Sequence, residues 1–211
     1  MAYSPPMIIG VMSDTHGRQD LMQRAADLMT SKFKVEAIVH LGDDYSDAMK
    51  MDTRGKTLYA VPGVYEKAWY DNTVPHRLIK DFGGVTFMLS HTPTRDAHDL
   101  TGDLNPGRAR SRFGCDAFLH GHTHKRRVME SVDGLIVICP GHLKAEKDRG
   151  EPATFAIIDV RDPKLLIEFS NLDGEIIEEH GLTIARPEQS EHTPLPEIIA
   201  EEEISEDPTM G

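Results

Sequence analysis

Four short blocks in this chain of 211 residues end hydrophobic runs in the same manner. They are Ser13-Asp14-Thr15-His16-Gly17, Leu41-Gly42-Asp43-Asp44, Leu89-Ser90-His91 and Gly121-His122-Thr123-His124. A brief apolar run closed by Gly, Asp or His reads as a buried strand. The polar residues then fall at strand ends, where open α/β sheets keep their ligand crevices. Asp14, Asp43 and the four imidazoles of His16, His91, His122 and His124 form a mixed donor set. Such a set suits a borderline divalent transition ion, Mn, Fe, Ni or Zn, rather than an all-oxygen calcium site.

The first half of the chain alternates in type. Met7–Met12 reads as a strand, and Arg18–Lys32 as a helix with Leu21, Ala25, Leu28 and Met29 on one face. Val35–Leu41 is a second strand, Ser46–Met51 a short helix and Thr57–Val61 a third strand. This βαβαβ order predicts a parallel sheet covered on both faces. In the second half, His76–Lys80 and Val85–Ser90 read as a hairpin joined through Gly83-Gly84. Pro106–Phe113 reads as a short helix with Asn105 as its cap and Gly114 as its stop. Strands are expected at Ala117–His120, Arg127–Ser131, Leu135–Cys139, Thr154–Val160, Leu165–Ser170 and Glu175–Glu179, with turns at Asp133-Gly134 and Asp173-Gly174. Short strands with two-residue turns predict a largely antiparallel second sheet. Both halves fit an α/β fold, a four-layer α-β-β-α sandwich of two mixed sheets.

Charge is unevenly spread. The formal net charge is -12, and the stretch from Ala185 to Gly211 holds eight acids against Arg186 alone, a net -7 that leaves -5 on the body. Pro, Glu, Ser and Thr dominate this stretch, which buries too little apolar area to offset the entropy of ordering it. The reading is one domain over residues 1–183 and an acidic, disordered tail over 184–211. An acidic body without a basic, aromatic-interleaved stripe disfavours a nucleic-acid partner. The one basic run, Lys125-Arg126-Arg127, reads as a solvated strand start. Cys115 and Cys139 sit in separate hydrophobic contexts and read as buried reduced thiols. No segment approaches the roughly 20 apolar residues that span a bilayer, and the Met7–Met12 run is too short for a signal-peptide core. The expected location is the cytoplasm.

The ordered blocks resemble the calcineurin-like metallophosphoesterase family. Its compact bacterial and archaeal phosphodiesterase branch reads D-x-H, G-D, G-N-(H or C)-(D or E), a lone H and G-H-x-H, in that order. Asp14 and His16, Gly42-Asp43, His91, and His122 and His124 match residue by residue, within a resemblance running from Met7 to Val160. It implies the metallophosphoesterase form of the sandwich and two divalent ions, with Mn expected and Fe, Ni or Zn as substitutes. One ion is implied at Asp14, His16, Asp43 and His124, the other at Asp43, His91 and His122, with Asp43 shared; Asp43, His91 and His124 are the implied catalytic residues. A carboxylate can bind a cation at each oxygen and hold two ions about 3.5–4 Å apart. Burying so many ionisable groups without an ion is costly. The implied activity is hydrolysis of a small or nucleotide-like phosphodiester by a hydroxide held between the ions. Homo-oligomerisation is left open.

The third block is broken. Where the family has its metal-binding Asn the chain has Val64, and Tyr65 stands where the His or Cys would be, within Pro62-Gly63-Val64-Tyr65-Glu66. Loss of an oxygen donor weakens the second ion. A phenol with an ordinary pKa near 10 is also a poor acid toward most leaving groups. Reduced activity is therefore expected, and the alternative is a catalytically weakened metal-binding module that serves as a protein-interaction surface. Glu66 reads as a loop carboxylate bonded to backbone, with the length to reach in as a substitute ligand. His142, where relatives have a small hydroxyl, reads as a solvent-facing loop residue, or else as an extra ligand or general acid. The other histidines, His40, His76, His98, His120, His180 and His192, have no matching ligand position and read as core or surface residues.

Overall fold

The computed structural model describes residues 4–186. In chain order its first elements are β1 (Met7–Met12), α1 (Gln19–Ser31), β2 (Ala37–His40), α2 (Tyr45–Ala48), β3 (Thr57–Ala60), β4 (Arg77–Phe82) and β5 (Val85–Ser90). There follow α3 (Ala109–Phe113), β6 (Ala117–His120), β7 (Arg127–Glu130), β8 (Ile136–Cys139), β9 (Lys147–Asp148) and β10 (Glu151–Pro152). Last come β11 (Phe155–Arg161), β12 (Lys164–Ser170) and β13 (Ile176–Thr183). The six-stranded sheet has the order β13-β12-β11-β1-β2-β3 and the five-stranded sheet the order β4-β5-β6-β8-β7.

Alternation along the strands sorts side chains onto two faces and so builds the layers. Ile9 and Val11 of β1, Val39 of β2, Ile158 and Val160 of β11, and Ile167 and Phe169 of β12 turn toward the second sheet. There they meet Phe87 and Leu89 of β5, Leu119 of β6 and Ile138 of β8, all fully buried. Each such side chain is worth about 1.5–3 kcal/mol when withdrawn from water, so this slab is the main source of stability. On the far side of the first sheet, Met12, Ile38, Phe155 and Ile157 pack beneath Leu21, Met22, Ala25, Ala26 and Met29 of α1. Ala109 of α3 covers Met88 and Phe118 on the far side of the second. The result is the expected four-layer sandwich.

The pairing departs from expectation in the second half. β5, β6 and β8 run parallel, and only β4 and β7 are antiparallel to their neighbours. The antiparallel run β11–β13 instead joins β1 and extends the first sheet. Alternation alone does not say which sheet a strand joins, because either partner buries the same face. The expected helix 106–113 opens as a tight 3₁₀ turn over Pro106–Arg108; Asn105 Oδ1 accepts from the Gly107 amide at 3.0 Å, and Gly114 closes α3 at φ 64°. Two elements lie outside the expected pattern, the 3₁₀ turn Lys67–Tyr70 and the β9–β10 hairpin.

Ile184 is buried between the sheets, and Arg186 bonds to Asp116, Asp162 and the Gly84 carbonyl. The residues just past the expected domain boundary thus pack on the body. The disorder expected of the tail falls on residues 187–211, outside the described residues.

Candidate metal centre

Parallel strands point their carboxyl ends the same way, so the loops after β1, β2, β3, β5, β6 and β8 share one rim of the sandwich. Backbone hydrogen bonds stitch these loops together: Asp14 N donates to Gly42 O at 2.9 Å, Thr15 N to Asp43 O at 2.7 Å, and Gly121 N to His91 O at 3.0 Å. Asp14 joins the two sheets directly, each of its carboxylate oxygens lying 3.0 Å from the His122 amide.

Five of the six expected ligands have left-handed backbone: Asp14 (φ 56°), His16 (φ 46°), Asp43 (φ 50°), His122 (φ 66°) and His124 (φ 61°). Each such residue costs on the order of 1–3 kcal/mol and persists only where the surroundings enforce it, as they do at sites built for a purpose. Glycines allow the loops to approach. A Cβ on Gly63 would lie 1.8 Å from Asp43 Oδ1, one on Gly42 2.7 Å from His91 Nδ1, and one on Gly121 1.9 Å from Ser13 Oγ.

One ligand atom each from Asp14, His16, Asp43 and His124 lies within 4.8 Å of all the others. His124 Nε2 is 3.2 Å from Asp14 Oδ1 and 3.2 Å from His16 Nε2, which is itself 3.4 Å from Asp43 Oδ2. The other Asp43 oxygen, Oδ1, is 3.5 Å from His91 Nε2, and His91 Nε2 is 3.2 Å from His122 Nδ1. Asp43 therefore turns one oxygen to each group of imidazoles. Ligands about 2.0–2.2 Å from a common ion, at tetrahedral or octahedral angles, stand roughly 3.0–3.5 Å apart. The donors of Asp14, His16, Asp43 and His124 fit a divalent ion in both spacing and chemistry, and the contacts from Asp43 through His91 to His122 add donors of the same chemistry beside it.

The tautomers agree with that fit. His91 Nδ1–H donates to Leu41 O at 2.7 Å and His124 Nδ1–H to Asp148 Oδ2 at 2.6 Å, which leaves both Nε2 lone pairs turned inward. Partial desolvation of the otherwise exposed His16 and His122 rings lowers their pKa below that of an ordinary histidine, favouring the neutral, ligating form. Burial acts to raise Asp14; hydrogen bonds from His124 and Ser13 and the charge of His91 outweigh it and hold the carboxyl below its usual range. Hydrogen bonding to Asp14 raises His124 despite burial: without an ion the protonated ring donates from both nitrogens, and an ion at Nε2 would take the place of that second proton.

At the broken block, Val64 is buried at 1 % exposure and Tyr65 projects at 78 % exposure. Glu66 is committed to backbone, accepting from Gly63 N and, at 2.6 Å, from Tyr45 N. His142 is fully buried rather than solvent-facing. Its Nε2–H donates to Glu151 O at 3.2 Å, its Nδ1 has no partner, and its ring lies 5.6 Å from that of His124. Arg126 pairs with Glu151 and Glu178, whereas Lys125 and Arg127 are exposed, as a solvated strand start requires.

Sequence reasoning missed two supporting residues. His40, read as an ordinary histidine, accepts Gly42 N at Nδ1 and pairs through Nε2 with Thr15 Oγ1, whose hydroxyl donates to Asp43 O at 2.7 Å. Its place beside the Gly42-Asp43 block was the available signal. Asp148 carried no signal, because it reaches His124 from a separate hairpin.

Solved structures share this fold. A conserved uncharacterised protein of Streptococcus pneumoniae, described as a predicted phosphoesterase, superposes with a TM-score of 0.64 at 19 % identity over 85 % of this chain and 98 % of that one. An archaeal phosphodiesterase gives 0.57 at 22 % identity over 83 % and 100 %. Vps29 of Entamoeba histolytica, complexed with zinc, gives 0.56 at 18 % identity over 85 % and 100 %. No curated protein matches the chain. The model of the calcineurin-like phosphoesterase superfamily domain matches residues 7–163, most of the chain and all of the loops just described, and the chain belongs to that family.

Proposed function

We propose that this protein is a metal-dependent phosphoesterase, acting as a phosphodiesterase on small or nucleotide-like substrates. One observation carries the reading: two groups of inward-turned imidazole and carboxylate donors meet at the two oxygens of Asp43. Two divalent transition ions held there, Mn foremost and Fe, Ni or Zn as substitutes, would acidify a water and neutralise charge growing on phosphorus. Asp14, His16, Asp43 and His124 would hold one ion, and Asp43, His91 and His122 the other. Leu41 O and Asp148 keep the imidazoles of His91 and His124 in the ligating tautomer. No helix among the described residues is long and apolar enough to cross a membrane. The free, buried Cys115 and Cys139 fit a reducing compartment, and we place the protein in the cytoplasm.

The test is hydrolysis of a bis-aryl phosphate against a mono-aryl phosphate with Mn²⁺ supplied, with Asp43→Asn as the control. Mn²⁺-dependent release from the diester that Asp43→Asn abolishes is the expected result. A second reading, a weakened metal-binding interaction module, draws on Val64, which puts methyl groups where an oxygen donor is needed, and on the exposed Tyr65. Vps29 neighbours share the fold. Metal uptake by a wild type that cleaves neither ester would favour this second reading over the first.

A further inference from the structure

The two groups of donors are not braced equally. His91 is steadied by a backbone carbonyl. Among the described residues, Asp148 is the one carboxylate bonded to the outer nitrogen of an expected ligand imidazole, at 2.6 Å from His124 Nδ1. The ring it holds is only 4 % exposed and presents Nε2 at 3.2 Å from both Asp14 Oδ1 and His16 Nε2.

Asp148 is delivered by a small dedicated element. Lys147–Asp148 and Glu151–Pro152 pair antiparallel across the turn Arg149-Gly150, both of whose residues have positive φ (52° and 89°), as a two-residue hairpin turn requires. Ala153 N donates to Glu146 O at 3.0 Å and closes the base of the hairpin. The hairpin is then tied to the metal loops from two sides. Arg126, two residues beyond His124, donates to the Glu151 carboxylate at 2.9 Å, and His142 donates to the Glu151 carbonyl at 3.2 Å. Lys144 and Arg149 stand 4.0 and 3.7 Å from the Asp148 oxygens and offset its charge.

Building on the metal reading above, we propose that Asp148 is a positioning residue for the metal centre: by accepting the Nδ1 proton of His124 it fixes that imidazole's tautomer and direction, and so sets the affinity of the ion held with Asp14, His16 and Asp43. The chemistry is general. A ligating imidazole has its proton on one nitrogen and its lone pair on the other, so a carboxylate at the outer nitrogen selects the inward lone pair and makes it more basic. Removing such a partner costs typically 10–100-fold in metal affinity.

The experiment compares full-length wild type, Asp148→Ala and Asp148→Asn. Mn²⁺ affinity is measured by titration calorimetry, and histidine side-chain ¹H–¹⁵N spectra are recorded on the metal-free proteins above pH 8. Asp148→Ala is expected to bind the tighter ion about 10–100-fold more weakly and to move His124 away from a pure Nδ1–H tautomer. His91, held by Leu41, should not change. Asp148→Asn keeps an accepting oxygen without the charge, so its loss should be smaller and its tautomer retained. A general loosening of the fold would weaken binding without shifting the His124 tautomer alone, and that outcome overturns the proposal. Wild-type affinity in Asp148→Ala overturns it equally. A wild type that takes up no Mn²⁺ overturns the metal reading itself, which separates the two failures.

Discussion

Replacing Val64 with Asn tests the broken block directly, because the change acts in opposite directions with and without metal. Val64 is 1 % exposed, and the same loop sets Gly63 against the Asp43 carboxylate. In the metal-free protein the new amide is buried without a partner, at a cost of about 1–3 kcal/mol. For a chain of this size that lowers Tm by roughly 2–4 °C per kcal/mol. When the second ion binds, the amide oxygen gains its partner. A gained ligand tightens an ion by about 10–100-fold, or roughly 1.4–2.8 kcal/mol at 1.4 kcal/mol per decade. The Mn²⁺-induced rise in Tm should therefore exceed that of the wild type by several degrees, on the order of the apo deficit recovered. Calorimetric melts with and without Mn²⁺, together with turnover of a bis-aryl phosphate, provide the assay. An equal Tm deficit in both conditions, with no added metal and no added turnover, would refute the claim that a missing Asn oxygen limits this site. Glu66 offers no escape, since both its oxygens are held by the Gly63 and Tyr45 amides.

Gly63→Ala should cost about 10–100-fold in metal affinity, because its Cβ would lie 1.8 Å from Asp43 Oδ1 and 2.8 Å from Asp43 N, displacing the shared carboxylate; wild-type Mn²⁺ content after dialysis would show that the loop yields instead. His40 links stability to pH. Complete burial pushes its pKa down to about 4, so between its ordinary value near 6.5 and about 4 only the unfolded chain takes up that proton. The contribution is intact above pH 6.5 and is lost as pH falls, reaching roughly 3 kcal/mol near pH 4 at 1.36 kcal/mol per unit. Urea unfolding of the metal-free protein should show this acid limb, and His40→Gln should flatten it; an unchanged slope would assign the limb to other groups.

What the sequence alone determined is local. Hydrophobic runs ending in Asp, His and Gly mark strands and their ends, and most expected strands fall within a residue or two of those observed. Met7–Met12, Val85–Ser90 and Ala117–His120 do so to the residue. Asn105, Pro106 and Gly114 likewise bracket their helix because caps and stops act within one turn. The ordered Asp and His blocks were legible for the same reason, since each lies within a few residues of its strand.

Tertiary structure decided everything that depends on which strand lies beside which. β11–β13 could satisfy their apolar faces against either sheet, and only the packed molecule joins them to β1. The left-handed backbone at five ligand positions follows from loops of both sheets crowding together across Gly42, Gly63 and Gly121. His142 read as a solvent-facing loop residue until the β9–β10 hairpin closed over it. Asp148 lies 24 residues from His124 in sequence and 2.6 Å from it in space. A hydrogen bond is decided by distance and direction between atoms, and neither is encoded in the residue type of a lone acid on a two-residue strand.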